Sequence, residues 1–232
     1  LERPPVRVRQ CVILAGGAGT RLGSLTRDIP KPLLPVAGRP FLEHLILKAA
    51  RHRFDRALLL VGHHAAMVEA WLSNSDLAAQ LGIDISLSSE PRPLGTGGAV
   101  AFARPQLDEA FLLINGDTWF DFDWRVLADQ DGSVIALRQI PEADRYETVQ
   151  LEGERAVAFV PRSGIARPGL INGGVYRLIR DAIPATDVPA SLEAEILPAL
   201  CKAGQLGARI FEGPFIDIGL PESYAAAQTL LA

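Results

Sequence analysis

The stretch "CVILAGGAGTRLGSLTRDIPKPLLPV" (residues 11–36) joins an apolar run to a cluster of glycines, followed by two cations and two prolines. An apolar strand that ends in a glycine turn is typical of phosphate-binding loops, because backbone N–H groups and a helix N-terminus can face the anion there. Two common loops do not fit. No lysine follows a glycine, as a P-loop requires, and Leu22 stands at the third glycine of the dinucleotide fingerprint. The stretch therefore predicts a phosphate loop of a third kind, in which Arg21 adds a cation.

Lys31 lies between two prolines in this stretch. Pro30 and Pro32 fix their own φ angles, and each disfavours helical geometry in the residue before it. We therefore expect no helix here and an extended, stiff segment that presents Lys31. Behind a glycine turn, such a lysine is expected to meet a phosphate rather than solvent.

The composition is that of an ordinary globular protein of 232 residues, with 48% apolar and 22% charged residues. A net charge of −4 favours neither a nucleic-acid nor a membrane partner. No apolar run approaches the roughly 20 residues that span a bilayer. Two cysteines are too few for a disulfide framework or a zinc site, which agrees with a cytoplasmic location. The opening "LERPPVRVRQ" is expected to be a loose leader.

Strand-like and helix-like segments alternate through the first half of the chain. Strands are predicted at 11–15, 56–62, 83–89 and 110–116, with helices at 40–53, 65–74 and from 95 to 105. This βαβ order predicts a parallel sheet covered by helices on both faces. Beyond residue 130, closely spaced short strands follow, with helices at 191–204 and 221–232. No linker divides the chain, so we predict one domain over residues 1–232.

The sequence resembles the sugar-phosphate nucleotidyltransferases, which join a nucleoside triphosphate to a sugar 1-phosphate and release pyrophosphate. The resemblance rests on "LAGGAGTRLGSLTRDIPKPLLPVAGRP", "INGDTWFDFD", "LINGGVY" and "FIDIGLPESY", with Ser24 where proline is commoner. "PLGTGGA", "RYETV" and "SLEAEILPAL" look most like the D-glycero-α-D-manno-heptose 1-phosphate guanylyltransferases of that family. The family resemblance implies a Rossmann-like three-layer sandwich with a mixed, mainly parallel sheet. Residues 10–130 would bind the nucleotide, and residues 131–232 the sugar phosphate.

The resemblance also assigns roles to residues of the loop. Arg21 and Lys31 would be the catalytic cations, with Lys31 close to the α-phosphate. The nucleotide-binding residues it implies are Leu14, Ala15, Gly16, Gly17, Gly19, Thr20, Arg21, Glu90, Gly95 and Thr96. Guanine presents two donors along one edge, which a carboxylate such as Glu90 can accept together, whereas uracil presents one. That difference favours GTP.

The loop carries two cations and no obvious general acid or base, which agrees with this chemistry. A sugar 1-phosphate is already mostly a dianion at neutral pH, so the nucleophile needs no deprotonation. The difficulty lies in bringing anions together, which calls for cations and positioning. Mg²⁺ is therefore expected, and Asp117, at the end of a buried strand, and Asp217, in an apolar strand, are the metal ligands that the resemblance implies. Asp123 is predicted to be a helix N-cap instead.

The sugar-phosphate site is implied to lie in the second half. Its residues by resemblance are Asn115, Glu147, Arg162, Asn172 and Gly173. Two of them depart from the family pattern. Arg162 in "FVPRSG" stands in for the lysine of the usual E-K-P, and Glu147 replaces a common glycine. Arginine can bind a phosphate bidentately, and a carboxylate could bind hydroxyls or simply point outward.

The predicted activity is transfer of a guanylyl group from GTP to heptose 1-phosphate by a monomer or small homo-oligomer. The nearest alternative is an N-acetylmuramate 1-phosphate uridylyltransferase, or an enzyme for another sugar 1-phosphate. An alternative of another class is a regulatory domain that binds sugar nucleotides without turnover, although such domains typically lose the cations or carboxylates. The adjacent His63 and His64 make a poor chelate and are assigned no role.

Overall fold

The computed structural model describes residues 7–17 and 19–232, without the side chains of Thr20 and Ser24. Residues 1–6 of the expected leader lie outside the described residues. The end of that leader is not loose, which corrects the prediction. Val8 is fully buried in the core, and its carbonyl accepts a hydrogen bond of 2.7 Å from Arg125 Nη1. Val8 is fixed because it lies just before β1 and its side chain continues the buried face of that strand.

A nine-stranded sheet runs through the middle of the molecule, in the order β5-β4-β1-β6-β11-β8-β12-β10-β9. Two further pairs, β2-β3 and β13-β7, lie outside it. The strands are β1 Gln10–Leu14, β2 Pro35–Val36, β3 Arg39–Pro40, β4 Arg56–Val61, β5 Asp84–Ser89, β6 Ala110–Asn115, β7 Thr118–Phe120, β8 Ser133–Ile140, β9 Thr148–Glu152, β10 Arg155–Val160, β11 Gly169–Ile179, β12 Leu206–Phe211 and β13 Phe215–Asp217.

The predicted mixed, mainly parallel sheet is confirmed. Strands β5, β4, β1 and β6 are mutually parallel, and β12 is parallel to β8. Strand β11 is antiparallel to both β6 and β8, so it joins the parallel first half to the later strands. Because β10 pairs antiparallel with both β12 and β9, only β10 and β11 among the nine strands run against the rest.

Helices cover both faces of the sheet, giving three layers. They are α1 Phe41–Arg51, α2 Ala65–Ser73, α3 Leu77–Leu81, α4 Gly95–Phe102, α5 Trp124–Ala128, α6 Leu197–Lys202 and α7 Pro221–Leu230. Cys11 and Ile13 of β1 pack in the core beneath α1, whereas Val12 packs on the opposite face with Val100 of α4. Successive strand residues point to opposite faces, so the apolar run of β1 is buried on both sides.

Helix caps agree with the sequence. Asp123 accepts a hydrogen bond from the N–H of Arg125 at the start of α5, as predicted. Ser191 caps a π-helical turn, Leu192–Ile196, that leads into α6, and Gly204 has the left-handed φ of 69° that favours glycine after a helix end. No helix in the described part of the chain is long and apolar enough to cross a membrane.

The segment around Lys31 differs from the prediction. Pro30 is extended, as expected, but Lys31–Leu33 forms a 3₁₀ turn. Proline is tolerated in a first turn because the N–H that it lacks has no partner there. The prolines therefore fix the start of a short helix instead of excluding one.

Candidate active site

A cavity of about 460 Å³ opens at the carboxyl ends of β1, β4 and β6. Ligands bind at this edge in open α/β sheets, because the loops that leave neighbouring strands meet there. The cavity is lined by Leu14, Gly16, Gly17, Arg21, Lys31, Pro32, Leu60, Val61, His63, Glu90, Pro93, Gly95, Thr96, Ala99, Asn115, Gly116, Asp117 and Glu193. Most of the predicted nucleotide-binding residues are among them.

The glycine loop is open at Gly17 and tightly packed at Gly19. A Cβ at Gly17 would meet nothing within 4 Å, which leaves room beside its backbone for a ligand. Gly19 has a left-handed φ of 63°, and a Cβ there would come within 3.1 Å of the stem of Lys31. Thr26 Oγ1 closes the loop by donating a hydrogen bond of 3.0 Å to the carbonyl of Gly19. Gly19 therefore shapes the loop around Lys31 without lining the cavity.

Two other predicted loop residues differ in position. Ala15 is buried, and its N–H donates a hydrogen bond of 2.8 Å to the carbonyl of Leu60, so it extends the sheet and is not part of the cavity wall. The side chain predicted for Thr20 lies outside the described residues. Gly16 packs against the backbone of Gly62, where a Cβ would come within 3.1 Å of the amide nitrogen.

Lys31 is only 7% exposed, and its Nζ lies 2.6 Å from Asp117 Oδ2. A lysine is rarely this buried without a partner, because removing the ammonium group from water is costly. Asp117 follows β6, so the ion pair joins the loop after β1 to the loop after β6. Thr118 Oγ1 donates a hydrogen bond of 3.1 Å to the second oxygen of Asp117.

Asp217 is brought to the same place by the β7-β13 pair. It is the last residue of β13, opposite Thr118, so it lies in a strand as predicted. The N–H of Gly219 donates a hydrogen bond of 2.9 Å to Asp217 Oδ1. A Cβ at Gly219 would come 2.6 Å from Asp217 Oδ1, 3.4 Å from Lys31 Nζ and 3.7 Å from Arg21 Nη2. Two cations and the carboxylate thus meet around Gly219.

Glu90 lies at another wall of the cavity, next to β4. Its side chain packs against Gly62, where a Cβ would collide with the carboxylate. Its Oε2 accepts a hydrogen bond of 3.1 Å from the N–H of Leu94. Burial raises the pKa of the Glu90 carboxyl, while the Leu94 N–H acts in the opposite direction. A held, half-buried carboxylate of this kind can accept hydrogen bonds from a ligand.

The glycines at the start of α4 serve packing. Gly97 and Gly98 donate hydrogen bonds of 2.9 and 3.1 Å to the carbonyl of Ala190, so the helix begins against the loop that precedes Ser191. Gly95 has a φ of 71° and also lies against Ala190, yet it remains in the cavity wall. These glycines thus allow the backbone of α4 to approach mainly the protein's own backbone at Ala190.

The predicted sugar-phosphate residues are less closely gathered. Asn115 lines the cavity, but Asn172 donates from Nδ2 to Tyr176 Oη at 2.8 Å and accepts from the N–H of Gly174 at 2.9 Å. A Cβ at Gly173 would come within 2.7 Å of the Phe120 ring. Gly173 is thus required for packing against β7, whatever else it contacts.

Glu147 and Arg162 are both exposed and lie outside the cavity lining. Glu147 precedes Thr148, which pairs with Ile171, so the antiparallel register sets Glu147 opposite Asn172. Although the residue as a whole is exposed, partial burial of its carboxyl group and, after that, the charge of Glu193 raise the pKa of Glu147. Arg162 lies in the exposed loop that follows β10.

Glu193 is a residue of the cavity wall that sequence reasoning did not single out. Thr96 Oγ1 donates a hydrogen bond of 2.7 Å to Glu193 Oε2. The only available signal was its place in "SLEAEILPAL", a segment noted for the resemblance as a whole. His63 also lines the cavity, although the histidine pair was assigned no role.

Comparison with known proteins defines the class. The family model for nucleotidyl transferases matches residues 10–232, so the chain belongs to the nucleotidyl transferase family. The chain is 36% identical over 218 residues, 93% of its length and 96% of the relative's, to D-glycero-α-D-manno-heptose 1-phosphate guanylyltransferase of Campylobacter jejuni. It is 34% identical over 227 residues to the protein of that name from Aneurinibacillus thermoaerophilus, covering 94% and 96% of the two chains.

Solved structures agree. The crystal structure of HddC from Yersinia pseudotuberculosis complexed with GMP-PN superposes with a TM-score of 0.85 at 30% identity, covering 97% of this chain and 100% of that one. The predicted fold and family are confirmed. The protein is a sugar-1-phosphate nucleotidyltransferase, and heptose 1-phosphate guanylyltransferases are among its relatives.

Proposed function

We propose that the protein transfers a guanylyl group from GTP to D-glycero-α-D-manno-heptose 1-phosphate, giving GDP-heptose and pyrophosphate. The observation that carries this proposal is the meeting of Arg21, Lys31, Asp117 and Asp217 beside one cavity whose other wall holds Glu90. The names of the two heptose 1-phosphate guanylyltransferase relatives support the sugar and the base.

The cations suit a reaction between two anions. A phosphate oxygen of the sugar 1-phosphate attacks the α-phosphorus of GTP, and the bond from that phosphorus to the pyrophosphate oxygen breaks. No proton leaves the nucleophile, which explains why the cavity needs no general base. Arg21 and Lys31 would stabilise the charge that develops on the α-phosphate, because fixed cations in a site of low dielectric act strongly there.

The carboxylates fit a divalent cation such as Mg²⁺. Asp117, just before β7, and Asp217, at the end of the paired strand β13, offer carboxylate oxygens, which is the donor chemistry that Mg²⁺ prefers. Two carboxylates are few, but Mg²⁺ usually keeps several waters and takes further oxygens from substrate phosphates. When bound, the ion would neutralise phosphate charge, while Lys31 and the Gly219 N–H hold the two carboxylates in place.

Glu90 supports guanine as the base. Its Oε2 already accepts one bond from the Leu94 N–H, and a carboxylate has lone pairs for the two adjacent donors of a guanine edge. We also propose that residues 1–232 act as one domain, that a single copy or a small homo-oligomer suffices, and that the enzyme works in the cytoplasm. Free Cys11 and Cys201, both buried, agree with the last point.

Turnover with each of the four nucleoside triphosphates tests the proposal. Pyrophosphate release is measured with heptose 1-phosphate, mannose 1-phosphate and N-acetylmuramate 1-phosphate. GTP with heptose 1-phosphate should give the highest kcat/KM. A preference for UTP with N-acetylmuramate 1-phosphate would replace the guanylyl assignment, and tight binding without turnover would indicate the regulatory alternative.

The variants Asp117→Asn and Lys31→Ala provide the second test. Both should abolish pyrophosphate release while circular dichroism shows an intact fold. Near-normal rates in both variants would contradict the assigned site. Arg92→Ala is the matched control, because among the described residues this exposed arginine donates to the carbonyl of Asp187 alone, at 2.8 Å, and it is not part of the cavity lining.

A further inference from the structure

The carboxylate of Glu193 is held in one orientation, and the resemblance carried by "SLEAEILPAL" assigns it no role. Its Oε2 accepts hydrogen bonds from Thr96 Oγ1 at 2.7 Å and from Ser191 Oγ at 3.4 Å. The Thr96 hydroxyl is fixed in turn, because it accepts from the N–H of Leu192 at 2.9 Å. Both bonds to Glu193 use the same oxygen, and within residues 7–17 and 19–232 no protein donor to Oε1 is found. Oε1 is therefore available to accept a bond from a ligand.

Besides Thr96, the neighbours of Glu193 belong to the half assigned to the sugar. Its negative charge contributes to the raised pKa values of Glu147 and of buried Tyr176, so both lie within electrostatic reach. Tyr176 is bound to Asn172 at 2.8 Å, and the strand register sets Glu147 opposite Asn172. The base-side carboxylate, Glu90, is held separately by the N–H of Leu94. Glu193 thus lies where the nucleotide wall meets the predicted sugar residues.

Charge decides which part of a ligand can approach. Two carboxylates repel a phosphate group, whereas neutral hydroxyl groups can donate to them without a charge penalty. Arg21 and Lys31, at the Gly219 end of the cavity, attract the phosphates. A sugar 1-phosphate would therefore lie with its phosphate towards the cations and its hydroxyls towards Glu193 and Glu147.

We propose that Glu193, assisted by Glu147, accepts hydrogen bonds from the hydroxyl groups of the sugar 1-phosphate and so determines which sugar is used. The inference rests on the proposed function and names the residue that selects its second substrate. Loss of one charged acceptor for a hydroxyl typically reduces discrimination by about one to two orders of magnitude.

The experiment compares Glu193→Gln with Glu195→Gln. Glu195 is two residues further along, exposed and outside the cavity lining, and its bond to the Ser191 N–H at 2.8 Å can be kept by glutamine. KM values for GTP and for heptose 1-phosphate are measured separately, and kcat/KM is compared between heptose 1-phosphate and mannose 1-phosphate. Glu193→Gln should raise KM for heptose 1-phosphate about tenfold and change KM for GTP less than twofold. Glu195→Gln should change neither.

Three outcomes would overturn the inference. One is an unchanged KM for the sugar phosphate in Glu193→Gln, and another is a rise confined to GTP, which would assign the carboxylate to the ribose. The third is an equal loss for both sugars with lower thermal stability, which would indicate a structural role. If the wild type turns over no nucleoside triphosphate, the proposed function fails. Calorimetric titration of heptose 1-phosphate into wild type and Glu193→Gln still tests Glu193 in that case.

Discussion

Gly219 provides the sharpest test of where the reacting groups meet. A Cβ added at this position would lie 2.6 Å from Asp217 Oδ1, 3.4 Å from Lys31 Nζ and 3.7 Å from Arg21 Nη2. Gly219 does not have a left-handed φ, so Gly219→Ala should not strain the backbone. The added methyl group instead acts on the functional atoms themselves. It would displace the Asp217 carboxylate and come into van der Waals contact with the Lys31 and Arg21 cations.

The size of the effect follows from the first of these distances. An ordinary contact between a carbon and an oxygen is longer than 3 Å, so the Asp217 carboxylate must move by roughly 0.5–1 Å. A displacement of about 1 Å in a reacting group can lower a rate about 100-fold. Gly219→Ala is therefore expected to reduce kcat by about 10- to 100-fold, which corresponds to about 1.4–2.7 kcal/mol of transition-state stabilisation.

Steady-state pyrophosphate release with GTP and heptose 1-phosphate measures this loss. Gly207→Ala is the control, because it adds a methyl group in β12, where the nearest atom is a flexible methyl of Val134 at 3.3 Å. Both variants should keep a cooperative thermal transition. If Gly219→Ala retains a kcat within threefold of the wild type, the atoms around Gly219 are not the reacting centre, and the assignment of Asp217 and Lys31 fails.

Three further predictions concern the base, a buried lysine and a packed glycine. Burial raises the pKa of Glu90 above the ordinary value of 4.5, and only the ionised carboxylate accepts hydrogen bonds from the base. KM for GTP should therefore rise as the pH falls, and the rise should begin at a higher pH than for an ordinary glutamate. Glu90→Gln should remove this pH dependence. Lys48, with Nζ 2.5 Å from Asp121 Oδ1, is buried against two tryptophan rings, so Asp121→Asn should lower the free energy of unfolding by about 1–2 kcal/mol. Lys48→Met keeps the packing, removes the stranded charge and should cost less in the same urea titration, whereas an equal loss would contradict the electrostatic reasoning. Gly173→Ala, with its Cβ 2.7 Å from the Phe120 ring, should cost about 2 kcal/mol in that assay, and unchanged stability would indicate that the glycine is kept for the ligand.

The part of the fold that follows from local pattern was predictable. The apolar run of β1 and the alternation of strands and helices through residue 130 predicted a parallel sheet, because each element there carries its own periodicity. Strands β12 and β7 were not predicted as separate elements, and β13 was predicted only as an apolar strand around Asp217, without its partner. Their residues give weak periodic signals, and pairing of β13 with β7 joins segments almost 100 residues apart in the chain.

The prolines around Lys31 show how a correct local rule can lead to a wrong local structure. Each proline restricts the chain as expected, but the restriction also suits the first turn of a 3₁₀ helix, which tertiary packing selects. What the sequence indicated correctly is that Lys31 does not extend into solvent, since its ammonium group is buried against Asp117. The partner could not be inferred from spacing alone, because it follows a different strand.

Glu193 is the residue of this site that could least be predicted from the sequence. Nothing in "SLEAE" distinguishes a glutamate in the cavity from the exposed Glu195, because both lie in the first turn of the same helical segment. The distinction arises when Gly97 and Gly98 allow α4 to approach Ala190 closely, which brings the Thr96 hydroxyl to the carboxylate. Glycines that resembled a binding loop are thus required to bring two helix starts together. The carboxylate fixed between those helix starts is the one from which we infer sugar selection.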